Sequence, residues 1–216
     1  MRHLYLALLL TLPLHALAAD RACKVLERAI EKAPPSNYSI ESERLPFQRV
    51  RTESAEAGLN QQLTFVAADG ASWGGLREQR CEGGAILLSK FTRLTESPDV
   101  EAYHPPLPIR IYPLLEGATW DWSGVLTLGT EADPIRLVAD ASFRVDPETE
   151  LTVGDKTLRV VPIFHELVVS ETVIQTTSWV VPTPPYDLVK EEVVYIDPAG
   201  HAERQDTWLR APEEPR

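Results

Sequence analysis

The chain has 216 residues, with 21 Lys and Arg against 32 Asp and Glu, for a formal charge of −11. That length suits one domain with a single core, and the acidity argues against nucleic acid and anionic membrane surfaces as partners. The acids are scattered instead of blocked, so they read as a solvated surface and not as an interaction tail.

Met1 to Ala18 has the make-up of a secretory signal peptide: a cation at Arg2, an apolar run from Leu4 to Leu12 broken at Thr11, and Ala16-Leu17-Ala18 as a small-x-small cleavage site. The run is shorter than the ~20 apolar residues a spanning helix needs, and no second such stretch follows, so no transmembrane segment is expected after cleavage. Cys23 lies several residues beyond the cleavage site, which argues against a lipid-anchored N-terminus. The expected compartment is the periplasm or the exterior.

Two cysteines remain, Cys23 and Cys81. An even pair behind a signal peptide reads as a disulfide, worth about 4 kcal/mol in the chain-entropy account. The absence of Cys-x-x-Cys spacing argues against a redox role.

Residues 19–35 read as one helix. Ala22, Val25, Leu26, Ala29, Ile30 and Ala33 recur at helical spacing, Cys23 shares the side of Leu26 and Ile30, and Pro34-Pro35 ends the run. Residues 36–211 then read as one antiparallel β domain, before a polar tail at 212–216. Strands are expected around Tyr38 to Arg44 and Phe47 to Thr52, then at Leu63 to Val66 and Ala85 to Phe91, with Glu82-Gly83-Gly84 as a tight hairpin. His104-Pro105-Pro106-Leu107-Pro108 reads as a stiff extended connector crossing between two parts of a sheet.

The clearest strands follow. Trp120, Trp122, Gly124, Leu126 and Leu128 share one face, as do Leu137, Ala139, Ala141, Phe143 and Val145 on the next strand. Leu158 to Val169, Thr172 to Val181, and a hairpin of Leu188 to Ile196 with His201 to Leu209 complete about nine strands. The fold class is mainly β: a curved antiparallel sheet, half-barrel or barrel-like, with one N-terminal helix.

The segment from Pro105 onward carries Pro105-Pro106-Leu107, Tyr112-Pro113-Leu114 with Gly117, Trp120-Asp121-Trp122-Ser123-Gly124, Leu151-Thr152-Val153-Gly154 before Leu158-Arg159-Val160, and Trp179 followed by Leu188-Val189-Lys190-Glu191. In these residues the chain resembles a family of uncharacterised exported, periplasmic bacterial β-rich proteins. That family is similar in fold to the curved-sheet lipoprotein carriers of the envelope, which implies a ligand-holding or partner-docking sheet. The chain departs from the pattern after Trp179, where Val181-Pro182-Thr183-Pro184-Pro185-Tyr186 replaces a glycine-bearing loop; a gate there would be stiffer here.

Catalytic signals are weak. Gly70-Ala71-Ser72-Trp73-Gly74 matches G-x-S-x-G, with Asp187 and His201 downstream, but the elbow needs a helix after its serine and this stretch reads as a turn between strands. His104, His165 and His201 lie far apart with no zinc-ligand spacing, so no metal or cofactor is expected. His165 stands out because it shares a strand face with Val161, Ile163, Leu167 and Val169, where a polar group requires a partner. Asp121 alternates to the face opposite its flanking indoles. Asn37-Tyr38-Ser39 is a glycosylation sequon with meaning only in a eukaryotic route.

The residues selected as candidate ligand contacts are Trp120, Trp122, Phe143, His165 and Trp179, lining a pocket for a lipid or acyl chain. Alternation fits as well with the indoles filling the concave face as core, the commoner place for large aromatics. The functional reading is a non-enzymatic envelope protein that binds an apolar ligand or a partner protein on its curved sheet. The alternatives are an interaction subunit without a small ligand, and a hydrolase using Ser72.

Overall fold

The computed structural model describes residues 21–42, 47–55, 59–95, 98–184 and 186–211, with backbone alone for 203–205. The signal segment at 1–18 and the polar tail at 212–216 lie outside the described residues. One helix, α1, spans residues 21–31. Thirteen strands follow in chain order: β1 (Ser36–Ser42), β2 (Phe47–Ser54), β3 (Gln61–Ala67), β4 (Ser72–Glu82), β5 (Ala85–Leu94), β6 (Asp99–Ile111) and β7 (Thr119–Gly129), then β8 (Pro134–Val145), β9 (Thr149–Val153), β10 (Lys156–Val169), β11 (Thr172–Val180), β12 (Leu188–Ile196) and β13 (Ala202–Arg210).

The sheet runs β11-β12-β13-β1-β2-β3-β4-β5-β6-β7-β8-β10, and β10 pairs back onto β11, so the sheet closes on itself as a twelve-stranded antiparallel barrel. Closure removes the unpaired edges that an open sheet would present. The thirteenth strand, β9, pairs only with the first half of β10. That hairpin folds over the outside of the barrel, where Val153 and Val160 pack on Val189 and Trp179.

The expected strands are present; β4, implied by the turn at 70–74 and the hairpin at 82–84, takes definite bounds here, and β6 and β9 were not anticipated. The Pro105 to Pro108 stretch is no connector; it lies inside β6. Three prolines cannot donate to a ladder, and β6 pairs with β7 only from Val100 to His104. Beyond that point the indoles of β7 reach carbonyls of β6 that the ladder no longer serves: Trp122 Nε1 donates to the Pro105 carbonyl at 3.0 Å and Trp120 Nε1 to the Pro108 carbonyl at 2.7 Å.

Eight strands give an interior that side chains can fill, and the diameter grows with each added strand. Twelve therefore leave room, and the inward apolar residues form separate clusters instead of one core. Trp122, Leu126, Ala139, Ala141, Phe143 and Leu167 line the wall made by β7, β8 and β10. Tyr38, Ile40, Val50, Leu63 and Phe65 line the wall made by β1, β2 and β3.

Helix α1 closes one end. Its Leu26 is buried against Leu59 and Ile86 at the barrel rim, with Ile30 and Ile109 beside them. Cys23 and Cys81 are bonded, joining the helix to the end of β4. The adjoining turn between β4 and β5 is built on Gly83 and Gly84, whose φ values of 59° and 83° a two-residue hairpin turn of this kind requires.

Candidate functional site

Between the two apolar walls, under α1, lies a cavity of about 320 Å³, at the lower end of the range that holds small-molecule ligands. Leu88, Leu107, Leu167, Ile174 and Trp208 give it an apolar surface, and Arg77, Glu101, Tyr103, His165 and Glu191 interrupt that surface with polar groups. Ile30 and Pro34 at the end of α1 border it as well.

The alternation of each strand explains who faces inward. On β4, Trp73, Gly75, Arg77 and Gln79 point to the lumen, because Gly75 and Arg77 pair with the inward Leu63 and Gln61 of β3. On β11, Ile174, Thr176 and Ser178 line the cavity, so Trp179, next after Ser178, faces outward.

His165 projects from β10 and pairs with Phe143 of β8, which pairs in turn with Trp120 of β7. The three rings stack in sequence, with centroids 5.0 Å apart from Trp120 to Phe143 and 5.1 Å from Phe143 to His165. Among the described residues none hydrogen-bonds the imidazole, and its other side borders the cavity. Burial lowers its pKa from the ordinary value, with Glu191 pulling weakly the other way, so the ring is neutral at neutral pH.

The two lumenal acids near the middle of the cavity have donors of their own. Glu191 accepts from Ser178 Oγ at 2.8 Å, and Glu101 accepts from the hydroxyl of Tyr103. Burial, together with the Glu101 charge, pushes the Tyr103 phenol well above its usual value, so it stays protonated and remains the donor. At the α1 end, Arg210 pairs with Asp187 at 2.9 Å, and Arg110 donates to the Tyr186 carbonyl at 3.2 Å. Tyr186, from the proline-rich loop after Trp179, stacks on Tyr112 with centroids 4.2 Å apart.

Of the residues singled out in the sequence, His165 lines the cavity. Trp120, Trp122 and Phe143 face inward but form the packed wall behind it. Trp179 lies on the outer surface, beneath the β9–β10 hairpin, with Lys190 Nζ 4.7 Å from its ring centroid. Arg77, Glu101, Tyr103 and Glu191 were not singled out. Their signal was present as charged or hydroxylated residues at inward positions of an alternating strand, such as Trp73, Gly75, Arg77 and Gln79.

Ser72 opens β4 and is exposed, with strand on its C-terminal side where a nucleophile elbow needs a helix. Asp187 sits at the α1 end, bonded to Arg210, whereas His201 lies in the β12–β13 turn at the opposite end, 3.5 Å from Asp197. The three groups do not meet. Among the described residues, no three His, Cys, Asp or Glu side chains gather as metal ligands, and no helix is long and apolar enough to cross a membrane.

No protein-family model matches the chain, and no curated protein matches it in sequence. Its fold is similar to the crystal structure of the hypothetical lipoprotein YmcC of Escherichia coli K12, with a TM-score of 0.50 and 12% identity over 91% of this chain and 95% of that one. The likeness is one of fold across nearly the whole length of both chains.

Proposed function

We propose that the protein is an exported, non-enzymatic envelope protein whose barrel lumen holds a lipid or other acyl-chain ligand. The observation that carries this reading is the cavity of about 320 Å³ between two separate apolar walls. Native interiors pack near crystal density and leave few voids larger than a water molecule, so a space this size inside a closed barrel calls for an occupant. Its mixed lining suits an amphipathic one: an acyl chain along Leu88, Leu107 and Leu167, with a polar head among the charged and hydroxylated groups that interrupt the apolar surface. The envelope assignment draws on the signal-like segment at 1–18, on the Cys23–Cys81 bond, which persists in oxidising compartments, and on the name lipoprotein attached to a protein of similar fold.

The test is displacement of an apolar fluorescent probe from the native protein by a long-chain amphiphile, followed also by Trp208 emission. Near-UV circular dichroism of the same sample must show intact packing, since molten states bind such probes too. Displacement by dodecanol or dodecanoate, abolished when Ile174→Trp fills the cavity, is the expected result. A natively packed protein from which neither amphiphile displaces probe would leave an interaction subunit of an envelope assembly as the better description.

A further inference from the structure

Arg77, Arg110, Glu101 and Glu191 border the lumen, and their partners differ in one respect. Glu101 and Glu191 each accept a hydroxyl hydrogen bond, and Arg110 donates to a backbone carbonyl. Arg77 does neither: among the described residues its guanidinium has no hydrogen bond and no ion pair. It enters the lumen from β4, held between Gln61 of β3 and Phe91 of β5, and its charge is felt at Tyr103 on β6.

A guanidinium is always protonated and offers five N–H donors in a fixed fork. With none of them taken by a protein acceptor among the described residues, the half-buried fork is free to meet an entering anion by bidentate charge-assisted bonds that neither a hydroxyl nor an ester can match.

We propose that Arg77 receives the head group of the lumenal ligand, and that this ligand is an acyl chain ending in an anion, a carboxylate or a phosphate monoester. The inference rests on the lumen being a ligand site and names the class of molecule it takes. The chain lies against Leu88 and Leu107, and the head lies at Arg77. Glu101, already bonded to Tyr103, opposes an anion at the same level of the barrel, so the preference is moderate instead of absolute. A charge-assisted hydrogen bond in place of a neutral one corresponds to about a tenfold gain in affinity.

The test compares dodecanoate, dodecyl phosphate and dodecanol as competitors of one apolar probe at neutral pH, below their micellar concentrations, on the natively packed protein. Dodecanoate and dodecyl phosphate are expected to displace the probe at about tenfold lower concentration than dodecanol. Arg77→Gln should bring the ratio of dodecanol to anion displacing concentrations down to about one, and Arg77→Lys should restore part of it. Success of one anion alone assigns the source, carboxylate or phosphate, and supports the proposal. If dodecanol displaces as well as both anions from the unaltered protein, the role of Arg77 is overturned while the lumen reading stands. An anion advantage that survives in Arg77→Gln has the same consequence. If none of the three displaces probe, both readings fall. The comparison on unaltered protein decides the matter even if a variant does not fold.

Discussion

Trp122 of β7 bridges to β6 just where the backbone ladder between the two strands stops, donating its indole N–H to the Pro105 carbonyl at 3.0 Å. Gly124 makes this possible. A Cβ built there would stand 2.5 Å from the Trp122 ring and 2.6 Å from the His104 carbonyl oxygen, and the second of these is backbone that cannot move aside.

Removing the indole donors should therefore cost more than their area suggests. Trp120→Phe keeps an aromatic ring in the stack with Phe143 but strands the Pro108 carbonyl, for a loss of about 1–2 kcal/mol in denaturant unfolding. Gly124→Ala should lose more, about 2–3 kcal/mol, because it overpacks the wall and pushes on β6. A Gly124→Ala protein as stable as the parent would show that the contact between these strands is not as tight as described.

The Cys23–Cys81 bond closes a loop with a sequence separation of 58 and ties α1 to the rim. Reduction, or Cys23→Ala with Cys81→Ala, should lower stability by up to about 4 kcal/mol and expose residues 21–35 to proteolysis before the barrel itself. Because Leu26 remains an apolar anchor against Leu59 and Ile86, the barrel should still fold. Simultaneous loss of helix and barrel on reduction would mean that the plug nucleates the closure instead of sealing it.

The parts of this architecture that were legible in the sequence are those where one face is wet and the other apolar. Strand β8 alternates without interruption, with Ala139, Ala141, Phe143 and Val145 buried between exposed neighbours, and it was read correctly residue by residue. Strand β4 was implied only by its flanking turns and had no face pattern of its own, because its inward face carries Arg77 and Gln79 toward a polar lumen, which cancels the contrast between faces on which the reading depends. Strand β6 was not legible because prolines argue against a strand, and the indoles that bond its Pro105 and Pro108 carbonyls lie on another strand. His165 was visible as one polar residue on an apolar face. The width of the lumen was not visible, since it depends on the number of strands that close the barrel and not on any local pattern.

The neutral, buried imidazole of His165 ties stability to pH. Its folded pKa lies below the ordinary value of 6.5, so as pH falls past that value the unfolded chain takes up a proton that the folded chain does not. Stability is accordingly full above about pH 6.5 and declines below it until the folded pKa is reached, with a limiting slope of about 1.4 kcal/mol per pH unit from this group. His165→Gln should flatten the dependence of the unfolding midpoint between about pH 6.5 and 5, above the range where most carboxylates titrate. An identical slope in parent and variant would place the imidazole in contact with water or with a compensating charge.

Trp179 separates the two faces of the barrel wall. It lies outside, packed with Val153, Val160 and Val189 under the β9–β10 hairpin, whereas Ser178, its neighbour in the chain, lines the cavity. Trp179→Ala removes the ring on which the hairpin rests and should cost about 3 kcal/mol, accompanied by faster protease cleavage at the Gly154-Asp155 turn. Binding of an apolar probe in the lumen should persist with unchanged competition in the folded variant, because no lining atom is removed. Loss of competable binding in a natively packed Trp179→Ala protein would show that the outer hairpin and the cavity act as one unit, and would bring Trp179 back among the residues that govern the ligand.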